Sequence, residues 1–235
     1  MLQTTLLKDP TMPAPGPATR LCRSLWLLVL CLPLGLSLGL YASKAAALTI
    51  MVLDNQGEPF EGAVVELQHP SLTPAANPAQ ASMDQVNKQF KPHVLAVQQG
   101  TPVVFPNSDS IKHHVYSFSA AKRFQLKLYK EQQPDPLIFD KPGIVALGCN
   151  VHDWMVGYIY VSRSPQFSRT DEKGQAHFEV PDGSYQLQVW HPRFQTDDVS
   201  RQKQVEGSTG GVQVYQLQHP LHPKLNNEAD EFDVY

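Results

Sequence analysis

Hydrophobic residues follow two regimes along this chain. Residues 25–40 read LWLLVLCLPLGLSLGL, one nearly unbroken apolar run. From residue 48 onward apolar positions come in short runs that alternate with polar ones, between clusters of Pro, Gly, Asn and Asp. Few stretches repeat at i, i+3, i+4 and i+7, so the period is that of strands rather than helices. The alternation predicts strands at 48–53, 63–67, 94–97, 101–105, 115–118, 137–139, 143–147, 158–161, 176–180, 185–189 and 212–216. Asn55-Gln56-Gly57 and Pro181-Asp182-Gly183 read as turns, and 69–82 (HPSLTPAANPAQAS), rich in Pro and Ala, as a linker. Many short strands at this spacing predict an all-β sandwich or barrel.

The apolar run is preceded by Arg20 and Arg23, broken by Pro33 and Gly35, and followed by Ala45-Ala46-Ala47. A basic flank, a leucine-rich centre and a small-residue exit predict a secretory signal over 1–47, cleaved after Ala47. The run is shorter than the ~20 residues a membrane span needs, although an uncleaved inner-membrane anchor is the alternative. The long stretch ahead of Leu25 points to Met12 as the true start. The expected location is the periplasm, with no stable membrane insertion of the mature chain.

Composition narrows the class. With 235 residues, 42% apolar and 17% charged, the chain has material for one or two compact domains and is neither disordered nor polytopic. A formal charge of −3 and a pI near 6.3 supply no basic field for nucleic acid. Leaving out 1–47, with Lys8, Arg20, Arg23 and Lys44 against Asp9, takes that charge to about −6. Of the 3 cysteines, Cys22 and Cys31 fall in the signal, which leaves Cys149 without a disulfide partner in an oxidising compartment.

Cys149-Asn150-Val151-His152-Asp153-Trp154-Met155 spaces a thiol, an imidazole and a thioether along one short segment between two predicted strands. All three are ligands for a soft metal, and a loop can turn them toward one point where a strand would alternate them across its faces. A further imidazole is available at His113 or His114, at the start of a strand. Two imidazoles and a thiolate in a plane, with a distant thioether on the axis, make a mononuclear copper site for electron transfer. Each residue also has a plainer reading: Cys149 as a small buried hydrophobe, the histidine pair as strand-end polarity, Trp154 and Met155 as core. A thiol hydrolase would need an orienting third group and an oxyanion hole that nothing outside the loop suggests. Zinc is disfavoured by Met155, and a binuclear copper centre by the single cysteine. His69, His191, His219 and His222 each precede proline and read as turn residues, with His219 and His222 at most a weak surface metal site. His93 and His177 show no partner pattern.

Residues 90–161 resemble the cupredoxins. The resemblance rests on Phe90 and Pro92 leading to Val97 and Gly100, on Asn107 six residues before His113-His114-Val115, and on the C-x-x-H-x-x-M-x-G closure from Cys149 to Gly157. It implies a Greek-key sandwich binding one copper ion through His113, Cys149, His152 and Met155. Asn107 would support the site, and His114 would support it or compete as ligand. Two departures stand out: His114 takes the place of an Asn common in the family, and Leu147 that of an aromatic residue. The HHVYSFS, GCNVHDWM and WHP segments also resemble exported bacterial proteins labelled methylamine-utilisation proteins. Residues 52–67 and 170–189 resemble the two halves of a carboxypeptidase-regulatory, transthyretin-like sandwich. The implied organisation is a first sandwich part at 48–70, a linker at 71–81, the cupredoxin domain at 82–162, a second sandwich part at 163–220 and an acidic tail at 221–235. A single larger sandwich is the alternative.

The resemblance implies an exported, non-enzymatic electron carrier that meets a redox protein transiently. His152 would present its ring edge to solvent as the electron port, with Val151 and Trp154 in the docking patch and a basic partner face favoured by the negative charge. The alternatives are a copper-binding, sensing or partner-binding module in which redox cycling is incidental, and copper storage or delivery.

Overall fold

A computed structural model describes residues 45–196, 203–207 and 211–224, and within them the chain is all-β. The strands are β1 (Ala45–Leu53), β2 (Val64–Gln68), β3 (Ala81–Ser82), β4 (Asp84–Val86), β5 (Gln89–Lys91), β6 (Val94–Gln98), β7 (Thr101–Val104), β8 (His113–Ser117), β9 (Phe124–Tyr129), β10 (Leu137–Phe139), β11 (Gly143–Gly148), β12 (Val156–Ser162), β13 (Phe167–Arg169), β14 (Gln175–Pro181), β15 (Gly183–Trp190), β16 (Lys203–Gly207) and β17 (Gly211–Gln216). Among the described residues no helix is long and apolar enough to cross a membrane. The apolar run at 25–40, Met12 and the tail from 225 onward lie outside the described residues.

Residues from both ends of the described chain share one core. Leu48, Ile50 and Val52 alternate inward from β1 and pack with Val65, Leu67, Phe178, Leu187 and Tyr215. The sheets around this core are β14-β1-β17 and β13-β2-β15-β16. Two similar turns border it. Asp54 Oδ1 accepts the backbone N–H groups of Gln56 and Glu58 at 2.8 and 2.9 Å, and Asp171 Oδ1 accepts those of Lys173 and Gln175 at 2.9 and 2.8 Å. Gly174 ends the second turn at φ +71°, where a Cβ would stand 2.5 Å from the Val52 carbonyl oxygen, so a side chain would both strain the backbone and clash.

Residues 83–161 enclose a second core, in which Val97, Val103, Val115, Phe139, Val145 and Ile159 meet. It lies between the sheets β6-β12-β11-β8-β9 and β10-β7-β3. Strands β11 and β12 are antiparallel from Gly143↔Val161 to Gly148↔Val156, so residues 149–155 form the loop that joins them. Tyr116 of β8 lies opposite Gly148, which brings His113, the first residue of β8, beside that loop. A third cluster, Val64 and Trp190 against Val94 and Tyr160, forms the seam between the two cores. Within the seam the Tyr160 hydroxyl donates to Glu66 Oε2 at 2.7 Å.

The strand pattern departs from the sequence expectation at the start of β1 and at β3, β4, β5, β9, β13 and β16, which the alternation does not predict. β1 begins at Ala45 rather than 48, because Ala45–Ala47 continue the ladder on β14 although alanine is a weak strand former. The hairpin β4–β5 arises within what reads as a polar stretch: its turn residues Asn87 and Lys88 take φ of 53° and 57°, both positive, without the glycine that usually signals such a turn. β9 carries Gln125 and Lys127 on its exposed side and, among the described residues, pairs only with β8, the character of an edge strand.

Candidate metal centre

The loop 149–155 folds back on itself through a bond from the Met155 N–H to the His152 carbonyl at 3.0 Å. That turn brings the Cys149 and His152 side chains together, and β8 adds His113 from the neighbouring strand. Both imidazoles face the sulfur through Nδ1: His113 Nδ1 and His152 Nδ1 each lie 3.9 Å from Cys149 Sγ. The three donor atoms all lie within 4.8 Å of one another, and all three residues are buried. One metal–sulfur and one metal–nitrogen bond together reach ~4.3 Å, so a single ion between the sulfur and each ring fits the 3.9 Å separations. Met155 is buried on the same loop and packs in the second core. The group of His113, Cys149 and His152 could therefore hold a metal ion.

The far side of each ring is also constrained. His113 Nε2 donates to Asp109 Oδ2 at 2.7 Å. A carboxylate only accepts, so the proton of a neutral His113 ring sits on Nε2 and the Nδ1 lone pair is left for a metal. Asp109 is held in turn by the backbone N–H groups of Asn87 and Lys88, at 2.6 and 2.9 Å. Burial pushes the Asp109 carboxyl up, but the bonds from Lys88, His113 and Asn87 outweigh it and hold its pKa below the ordinary carboxylate value. The His152 ring lies 5.3 Å from that of Trp154, and Lys88 Nζ stands 6.0 Å over the same indole. The β4–β5 turn thus reaches both imidazoles, one through Asp109 and the other through Trp154.

The remaining expected site residues separate by position. His114 stays outside the cluster: its Nε2 lies 2.9 Å from Gln125 Nε2, and burial lowers its pKa. A register irregularity between His113 and Val115 accompanies this division of the two adjacent rings. Asn107 fastens the loop ahead of β8, its side-chain N–H groups donating to the carbonyls of Ile111 and Tyr129 at 2.9 and 3.0 Å and its Oδ1 accepting the Asp109 N–H at 3.0 Å. His152, expected to present a ring edge to solvent, is 6% exposed, against 53% for Val151 beside it. Trp154 beside it is half-buried, and its indole N–H has no hydrogen-bond partner among the described residues. Sequence reasoning missed Asp109 and the Asn87–Lys88 turn. The one signal for Asp109 was a carboxylate four residues ahead of a candidate ligand histidine.

No protein-family model and no curated protein sequence matches the chain. Among solved structures, a purple cupredoxin from Nitrosopumilus maritimus is 25% identical over 35% of this chain and 100% of its own, with a TM-score of 0.30. A reduced amicyanin variant is 23% identical over 42% of this chain and 98% of its own, with a TM-score of 0.32. A copper-containing nitrite reductase from Thermus scotoductus SA-01 is 20% identical over 48% of this chain and 28% of its own, with a TM-score of 0.35. Each match spans less than half of this chain, and the metal-binding reading stands on the side chains themselves: two imidazoles turned through Nδ1 onto one buried thiol.

Proposed function

We propose that this protein is an exported type 1 (blue) copper protein that carries single electrons between redox partners in the periplasm and is not an enzyme. The observation that carries the reading is the pair of 3.9 Å approaches of His113 Nδ1 and His152 Nδ1 to Cys149 Sγ, in a pocket that also buries Met155. Thiolate, two imidazoles and thioether are the soft donor set that suits copper, whereas Met155 adds nothing for zinc. When bound, copper supplies a one-electron couple.

The chain's own residues do the rest. Cys149 would hold the ion through its thiolate, His113 and His152 through Nδ1, and Met155 through its sulfur. Burial of these residues would keep water away from the bound ion. The β11–β12 ladder on one side and the Asp109 bond on the other fix the donors in advance, so a change of oxidation state demands little rearrangement. Val151, exposed next to His152, is the apolar contact for a transient partner, and the negative charge of the mature chain favours a basic face on it. Export rests on the sequence at 1–47. Cleavage after Ala47 would keep the whole register from Leu48↔Gly211 to Leu53↔Gln216 and remove only the Ala45–Ala47 rungs on β14. We read the outer sandwich as transthyretin-like, with the copper domain inserted in it, and the chain as one of the methylamine-utilisation type.

Voltammetry of the copper-loaded chain tests this reading. A reversible one-electron wave and a measurable self-exchange rate are expected. No reversible wave, or negligible self-exchange, would overturn the carrier reading and favour a copper-binding or sensing module. The extent of the outer core, which a simple shuttle does not need, is the observation in favour of that second reading.

A further inference from the structure

The seam between the two cores borders a cleft of about 710 Å³ that the metal centre leaves unused. Its size is that of a small-molecule site. Its lining includes Phe60 and His191, whose rings meet edge-on at 4.8 Å, and His93 and Tyr158, whose rings meet at 5.5 Å. Residues 221–224 also line it.

Arg193 is built into this cleft. Its backbone N–H donates to His191 Nδ1 at 3.2 Å, its carbonyl accepts the His222 N–H at 2.8 Å, and its side-chain Nε donates to the His222 carbonyl at 2.8 Å. Those bonds fix the stem of the side chain and leave the two terminal nitrogens of the guanidinium. Among the described residues no carboxylate lies within ion-pair distance of it. A half-buried guanidinium fork without an acid is matched in shape and charge by a planar carboxylate.

His191 complements it. Because Nδ1 accepts from the Arg193 N–H, the proton of the neutral ring is on Nε2, a second donor on the cleft wall. Burial first, and then the charges of His93, Arg193 and Arg169, hold this ring neutral with a pKa of about 3. The charged groups lining the cleft are Arg193 and Lys224 against Asp54 and Glu61, and Asp54 already spends Oδ1 on two turn N–H groups. These charges cancel, so the cleft has no excess positive charge for a doubly charged phosphate, while a single carboxylate needs only the Arg193 fork.

We propose that this cleft binds a small organic acid, its carboxylate on Arg193 and the His191 N–H and its apolar body against Phe60 and Tyr158. The site is independent of the metal reading, since none of these residues belongs to the metal centre.

Benzoate titrated into the full chain, followed by calorimetry and by the NMR signals of His191 and Tyr158, tests the proposal. Saturable binding is expected, weakened about tenfold or more by Arg193→Gln, as loss of a bidentate charged pair requires. Benzyl alcohol, the same ring without the charge, should not displace it, and inorganic phosphate should bind more weakly. Arg193→Gln also removes a bond to the 221–224 segment, so a second variant keeps the test decisive if that one unfolds. Glu61→Gln, at an exposed position, should tighten benzoate binding by removing a like charge. No saturation, equal binding by benzyl alcohol, tighter binding by phosphate, or benzoate affinity indifferent to both substitutions would overturn the proposal.

Discussion

Asp109 and His113 form a short polar contact at the metal centre, with Nε2 donating to Oδ2 at 2.7 Å while the opposite ring nitrogen faces Cys149 Sγ at 3.9 Å. The carboxylate therefore chooses the tautomer and aims the ligand. Asp109→Asn keeps an acceptor but loses the charge, and Asp109→Ala also strands the N–H groups of Asn87 and Lys88. Copper affinity, measured by competition with a chelator, should fall about 10-fold to 100-fold in Asp109→Asn and further in Asp109→Ala. Unchanged affinity in both would show that His113 is oriented by packing alone.

Gly157 lies opposite Leu147 in the β11–β12 ladder, two residues from Met155. A Cβ there would stand 2.7 Å from Phe90 Cβ and 3.0 Å from its ring, and Phe90 is 1% exposed and has nowhere to move. Gly157→Ala should cost about 1–3 kcal/mol of stability by overpacking. Gly148→Ala meets only the far end of the half-buried Tyr116 side chain, which can swing outward, so it should cost less. Denaturant midpoints of the two variants give the order directly.

How much of this was legible beforehand differs from residue to residue. Cys149, His152 and Met155 share one loop bounded by two alternating apolar runs, so both their proximity and the strands that carry them are local properties of the sequence. His113 and His114 are equivalent as letters in a dipeptide, and which of them reaches the centre is set by how β8 pairs with its neighbours, irregularly at this point. Asp109 sits in the run Asn107-Ser108-Asp109-Ser110, which reads as ordinary turn polarity. Its role depends on a hairpin turn about twenty positions earlier whose positive φ angles fall on Asn and Lys. How little of His152 reaches the surface was not legible, because the residue pattern does not fix the position of the Trp154 ring beside it.

Glu66 is 2% exposed in the seam, where its Oε2 accepts the Tyr160 hydroxyl and its Oε1 has no partner among the described residues. Tyr160→Phe removes that donor from a buried carboxyl and should destabilise the chain by about 1–3 kcal/mol. Pairing it with Glu66→Met removes the stranded acceptor as well and should recover most of the loss. A double-mutant cycle by chemical denaturation measures this, and additive losses would mean that the hydroxyl and the carboxyl are not coupled.

Burial, and then the neighbouring charges of His93, Arg193 and Arg169, lower the His191 pKa from 6.5 to about 3. The unfolded ring takes up a proton below 6.5 and the folded ring does not, so this residue's contribution is intact above pH 6.5. It declines as pH falls through the window toward about 3, by at most about 1.4 kcal/mol per pH unit, and levels off below. His93, whose pKa burial also lowers, adds to the same slope. His191→Phe keeps a ring against Phe60 but cannot titrate, so its stability should fall less steeply than the wild type across this window. Parallel curves would mean that His191 protonates freely in the folded chain.

The most direct test of the copper reading is the visible absorption and EPR spectrum of the Cu(II)-loaded chain. A buried thiolate between two imidazoles predicts an intense visible charge-transfer band and narrow copper hyperfine splitting. Both should be lost in Cys149→Ser and retained in His114→Ala. A weak, tetragonal spectrum, or an intense band that survives Cys149→Ser, would contradict the account at its centre.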